Sequence, residues 1–136
     1  GADRAGAAKG AGGGERPRMT SQQIDSFLTF LRNCEQRYHM AEADELEANA
    51  ITNDIHHSLE LEVHSDGEVL ALGLELASIR RKRRAAKDIL SETAPVLAWM
   101  EENRAVIKGL EQLLGEVRKA ERAVENRIYT PRRKKT

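Results

Sequence analysis

Ser65-Asp66-Gly67-Glu68 is the stretch on which the fold of this chain turns. A serine with a glutamate three residues on has capping-box spacing: the hydroxyl takes a first-turn N–H and the carboxylate reaches back to the serine's own N–H. Asp-Gly is a turn dipeptide. Together they predict the end of one helix and the start of another. Two opposed charge runs flank this point. Glu42-Ala43-Asp44-Glu45-Leu46-Glu47 is acidic, and Arg80-Arg81-Lys82-Arg83-Arg84 with Lys87 is basic. A chain folding back at the turn sets residue i against roughly residue 131 minus i. Arg84 then comes level with Glu47, and Lys87 with Asp44.

Upstream, no proline or glycine lies between Met19 and Ser65. Thr20 with Gln23 repeats the capping-box spacing and marks a start near Thr20. Ile24, Phe27, Leu28, Leu31, Cys34, Tyr38 and Ala41 follow at three/four spacing, and Ile51, Ile55 and Leu59 resume it. The pattern predicts one helix of about 40 residues, about 60 Å long. Such a length needs a partner, because local propensity alone rarely sustains it. Downstream, Val69, Leu72, Leu76, Ile79, Ala86 and Leu90 form one stripe. In the hairpin register Leu72 meets Leu59, Leu76 meets Ile55, Ile79 meets Ile51 and Thr52, and Leu90 meets Ala41.

Ser91-Glu92-Thr93-Ala94-Pro95 is the next expected interruption, with Thr93 capping a third helix that carries Pro95 in its first turn and runs to about Asn126. Seven of nine residues are apolar at the heptad positions 100, 103, 107, 110, 114, 117, 121, 124 and 128. Val106, Leu113 and Ala120 widen that stripe beyond a two-stranded seam. The third helix either folds back into a bundle or continues the second past the first. In the latter case the Leu110–Val124 stripe needs a second chain, and a homo-oligomer is expected in both. The fold class is therefore all-α, a long antiparallel hairpin or three-helix bundle with coiled-coil character.

Composition agrees. Of 136 residues, 32% are charged and 4% aromatic, the balance of helical bundles rather than sheets. No apolar run approaches the roughly 18–20 residues of a membrane span, and no signal-peptide pattern opens the chain. A single cysteine excludes an internal disulfide and fits a reducing cytoplasm. The net charge of zero is unevenly spread: residues 1–18 carry +2, residues 131–136 carry +4, and the stretch 19–130 is left at −6. An acidic body argues against broad contact with a phosphate backbone. Residues 1–18 are Gly/Ala-rich and read as a disordered segment. A second reading takes Gly12–Arg16, which a run of purines can encode, as a translated ribosome-binding site, with Met19 the true start. Residues 19–130 are the helical domain, and 131–136 a basic tail.

Candidate chemistry is sparse. Arg80, Arg81, Arg83, Arg84 and Lys87 could meet nucleic acid or an acidic partner, as could Arg132, Arg133, Lys134 and Lys135 in the tail. No aromatic residues interleave for base stacking, and Glu42, Asp44, Glu45 and Glu47 lie opposite, so a charge layer that fixes register, within the chain or between subunits, is the reading adopted. His57, Glu60 and His64, with His56 and Asp54 nearby, lack the spacing of a structural zinc site, and neither HExxH nor paired CxxC occurs. Glu42 and Glu45 form an ExxE pair, as in all-α nucleotide pyrophosphatases, but no second acidic pair completes a magnesium site. Cys34 sits on the apolar stripe without an activating His/Asp set. Trp99 is an anchor of packing, or an interface hot spot if exposed. No catalytic, cofactor or metal residue is assigned.

Leu74-Glu75-Leu76-Ala77-Ser78-Ile79-Arg80-Arg81-Lys82-Arg83-Arg84-Ala85-Ala86-Lys87-Asp88, with Pro95 and the later Arg127-Ile128-Tyr129-Thr130-Pro131-Arg132, resembles small helical proteins encoded by phages and prophages of Gram-positive bacteria. The resemblance implies a small intracellular accessory protein and assigns no catalytic residue. The expectation is a non-catalytic, self-associating protein that acts through protein contacts. The alternative is a nucleic-acid-binding accessory protein using residues 80–87 and the tail. A third reading is an inhibitor of a host enzyme or defence protein, its acidic body imitating nucleic acid.

Overall fold

The computed structural model describes residues 19–127. The expectations for residues 1–18 and for the basic tail 131–136 fall outside them. The described chain is all-α, with no strand: α1 Met19–Leu61, α2 Asp66–Glu102 and α3 Arg104–Glu125. Two compact units are distinguished, residues 30–103 and the described parts of 1–29 with 104–136.

Residues 30–103 are the hairpin that the turn predicts. Ser65 Oγ accepts from Glu68 N at 3.2 Å, and Glu68 Oε1 accepts from Ser65 N at 2.8 Å, so both halves of the capping box are made. Those bonds favour the ionised carboxylate, and Glu68 titrates below the usual carboxylate range, with its Ser65 backbone bond the largest cause. His64 completes the turn from the other side: its Nε2–H donates to the Ser58 carbonyl oxygen at 2.9 Å. Ser58 Oγ in turn donates to Glu62 Oε1 at 2.7 Å.

Register is pinned twice across the hairpin. Arg83 Nε donates to Asn49 Oδ1 at 2.8 Å, and Arg37 lies 3.6 Å from Glu92. Both fall within about two residues of the expected pairing. Along the covered side of α2, Leu72, Leu76, Ile79, Arg83, Ala86, Leu90, Thr93, Leu97 and Met100 follow alternating steps of four and three, with Ser78, Lys87, Ile89 and Val96 half-buried on its flanks. On α1 the matching line is Cys34, Tyr38, Ala41, Glu45, Ala48, Thr52, Ile55. The middle of this seam is thin. Ala41, Ala48 and Ala86 are its buried residues, at 1%, 3% and 3% exposure, with Glu45 and Arg83 half-buried beside them.

The expected break at 91–95 is corrected. The helix runs through Pro95 to Glu102, and Thr93 does not cap a new helix. Thr93 is instead 2% exposed, its Oγ1 donating to the Ile89 carbonyl at 2.7 Å inside the same helix. The physical reason is the seam: Leu90, Thr93, Leu97 and Met100 keep its spacing across the proline, whose ring occupies the exposed side. Burial along that line outweighs the roughly 3 kcal/mol that an interior proline costs a helix. The real stop is Asn103, whose N–H reaches Met100 O and whose Nδ2 donates to Trp99 O at 2.8 Å. Trp99 therefore belongs to α2, 39% exposed, and does not open α3.

In the other unit, α3 runs antiparallel to the first turns of α1. Arg118 lies 3.7 Å from Asp25, and Glu121 Oε2 accepts the backbone N–H of Ser21 at 3.0 Å. The start at Met19 puts Thr20 inside the helix, and Glu121 serves the backbone N–H of a first-turn residue. This register brings Leu28 level with Leu114, both buried. Phe27, expected on the same stripe, is 43% exposed. From Leu28 to Leu31 to Cys34 the buried line takes two successive three-residue steps. Each falls about 60° short of a full turn, so the covered side comes round to Phe27's azimuth only at Cys34, two turns on, while at Phe27's own height it is centred on Leu28, about 100° away.

Candidate interaction surfaces

The core leaves much apolar surface uncovered. Among the described residues, nine hydrophobic residues are buried, and only five of these are Leu or Ile. Fifteen large hydrophobic residues are exposed. Several cluster around the turn: Leu61 at 76%, Val63 at 100%, Leu70 and Leu74 at 65% each. Sequence periodicity could not flag these, because they lie off the seam on positions that a single hairpin leaves to solvent.

Charge around the turn is one-sided. Residues 38–79 hold ten Asp and Glu, all four histidines and no Lys or Arg. Six Lys and Arg follow at once in residues 80–87. Within the chain the expected charge layer is not made. No ion pair joins Glu42, Asp44, Glu45 or Glu47 to the basic run among the described residues; neither Arg84 with Glu47 nor Lys87 with Asp44 is in contact. Glu42 lies instead 3.2 Å from His39 Nδ1 on its own helix. Of the basic residues only Arg83 reaches across, and it finds Asn49 rather than a carboxylate.

The cause is position on the helix. Glu45 and Arg83 occupy seam positions, whereas Glu42, Asp44, Glu47, Arg80, Arg81 and Arg84 are exposed and Lys87 is half-buried. Holding two long exposed side chains together gains only about 0–1 kcal/mol, too little to fix them in one geometry. Arg132, Arg133, Lys134 and Lys135 lie outside the described residues.

One shallow, open hollow of about 400 Å³ lies on this unit, lined by Tyr38, Glu42, Glu45, Leu46, Asn49 and Leu90. It carries two carboxylates and no base, thiol or cation to set against them. No group of three or more His, Cys, Asp or Glu is placed to hold a metal among the described residues. His57, Glu60 and His64 do not converge, since His64 turns in against Ser58. Cys34 is buried, on the seam. No helix among the described residues is long and apolar enough to cross a membrane. What the surface offers is therefore contact: exposed aliphatic side chains beside blocks of single-sign charge. No protein-family model, curated protein or solved structure matches this chain.

Proposed function

We propose that this chain is a non-catalytic helical interaction protein that works through protein contacts and associates with copies of itself. The observation that supports this is the ratio of exposed to buried apolar side chains. Among the described residues, fifteen large hydrophobic side chains face solvent against five buried Leu and Ile. Each large aliphatic side chain left in water forgoes about 1.5–3 kcal/mol that burial would return. Clustered exposure of this kind marks interaction surfaces. Coiled-coil packing of the four/three seam fits the same reading. The narrower assignment to phage-type accessory proteins has the sequence resemblance as its sole support. Sedimentation equilibrium of the full chain between 5 and 500 µM, roughly the range of weak to moderate association, tests self-association: mass should rise with concentration. A mass fixed at one chain throughout refutes it.

A specific observation favours a second reading, an accessory protein that binds nucleic acid. Arg80, Arg81, Lys82 and Arg84 are exposed and make no ion pair among the described residues, so their charge is available to a phosphate backbone. Binding of this kind falls steeply with salt, log K dropping by about 0.9 per phosphate contacted for each tenfold rise in salt on duplex DNA. Titrating labelled duplex and single-stranded DNA and RNA at 50 mM and 200 mM salt, about the span over which that fall is large, decides it. No binding at the lower salt removes the reading.

A further inference from the structure

The outer side of α2 carries a second heptad line. Gly67, Leu70, Leu74, Ala77, Arg81, Arg84 and Asp88 follow one another at steps of three and four, and every one is exposed. On a 3.6-residue helix they lie about 180° from the seam formed by Leu72, Ile79 and Ala86. The line divides by chemistry: small and aliphatic from Gly67 to Ala77, charged from Arg81 onward.

We propose that this line is the surface on which a second copy of the chain docks, α2 against α2 and antiparallel about a two-fold axis at Leu74. This deepens the self-association reading and rests on it. The register follows from charge. Antiparallel pairing centred on Leu74 sets Arg81 of one copy beside Gly67 of the other, next to that copy's Asp66, which flanks the line, while Glu68 stays on the seam side in its bond to Ser65 N. By symmetry each contact occurs twice, so the acidic turn of each copy meets the basic run of the other.

Three observations point to this occupant. Leu70 and Leu74 are each 65% exposed, and they stand one turn apart on the same face of the helix. The cations that would face the acidic turn of the second copy make no contact with the acidic run of their own. Gly73, beside Leu74 in mid-helix, has nothing within 4 Å of the place where a Cβ would stand. No neighbour within the chain requires that glycine, which weakens a helix relative to alanine. A helix approaching from outside would use the space. A flanking rim of ion pairs makes the contact salt-sensitive and fixes its direction.

The test uses the full chain. The Leu70→Glu/Leu74→Glu double variant should sediment as a single chain with unchanged helical circular dichroism, because both positions are exposed. Leu74→Ala alone, lost from both copies at once, should weaken association roughly a hundredfold. In a Cys34→Ala background, Leu74→Cys should give a disulfide-linked dimer under mild oxidation, much faster than Leu46→Cys, which is equally exposed but off the line. Arg81→Asp should dissociate the dimer, and adding Asp66→Arg should restore it. If the parent chain dimerises but the double Glu variant does so equally well, or Leu74→Cys links no faster than Leu46→Cys, the face is wrong and self-association stands. A parent chain that stays single at every concentration overturns both.

Discussion

Pro95 separates two descriptions of the middle of the chain, and replacing it with alanine tells them apart. In the structure Pro95 lies inside α2, on its exposed side, thirty residues past the N-cap Ser65. An interior proline leaves the carbonyl of residue i−4, here Ser91, without its helical N–H and crowds it with the ring, a penalty of about 3 kcal/mol. Pro95→Ala restores the donor and removes the crowding. Against this, alanine frees the unfolded chain and returns about 0.4–1 kcal/mol. The net expectation is a stabilisation of about 2 kcal/mol. With an unfolding entropy of about 2.1 cal/mol/K per residue over roughly 110 residues, the thermal midpoint should rise by about 9 °C.

Urea unfolding followed by far-ultraviolet circular dichroism, with a thermal scan beside it, measures both quantities. Thr93→Val is the internal control: it keeps the buried shape and removes the Oγ1 bond to Ile89, and should cost about 1 kcal/mol or less. If Pro95→Ala leaves the midpoint unchanged or lowers it, Pro95 stands at the first position of a new helix, where proline is favoured. The continuous α2, and the seam drawn through Leu90, Thr93 and Leu97, would then be wrong.

Three further outcomes follow from the hairpin. Ser65→Ala should cost about 1 kcal/mol by unmaking the capping box. Because Glu68 titrates lower in the folded state than in the unfolded, its contribution is whole above the ordinary carboxylate range. That contribution is lost as pH falls through its lowered folded value, and Glu68→Gln should abolish this part of the pH–stability profile. Ala86→Leu should destabilise by about 1–3 kcal/mol in urea unfolding, since the seam at Ala41, Ala48 and Ala86 has no room for a larger side chain. Arg84→Glu should shift stability in the same assay by less than about 0.5 kcal/mol, whereas Arg83→Glu loses the Asn49 bond and should cost about 1 kcal/mol.

Much of the hairpin was legible because local and periodic signals agreed. Ser65 and Glu68 announce their own bonds, and the spacing that lines up Leu72, Ile79 and Ala86 sets register before any contact is known. The heptad positions from Met100 to Glu121 were likewise right about which side is covered. What escaped was decided by tertiary context. Thr93 and Pro95 carry the local signature of a helix start, and only burial on both sides of the proline overrides it. Asn103 ends the helix with a side-chain bond to Trp99 O that no residue pattern distinguishes from an ordinary polar position. Charge runs set level with one another implied pairing, yet level is not contact: Arg84 and Glu47 share a height on the hairpin while both point to water. Phe27 stays uncovered because at its height the covered side is centred on Leu28, about 100° round the helix, and the three-residue steps through Leu31 and Cys34 bring that side to Phe27's azimuth only two turns later.

The one-sided charge of the hairpin gives it a permanent electric moment along its length. The six Asp and Glu of residues 54–75 are a negative pole at the turn, and residues 80–87, whose six cations outnumber the four acids of residues 42–47 level with them, are a positive collar set back from it by the rise of about ten to fifteen helical residues, some 15–25 Å. At low ionic strength such a body is oriented before it touches anything: a cationic surface draws it in turn first, and an anionic one presents it with the collar. Above about 0.15 M salt the Debye length shrinks to about 8 Å, shorter than the distance between the poles, and each end acts on its own.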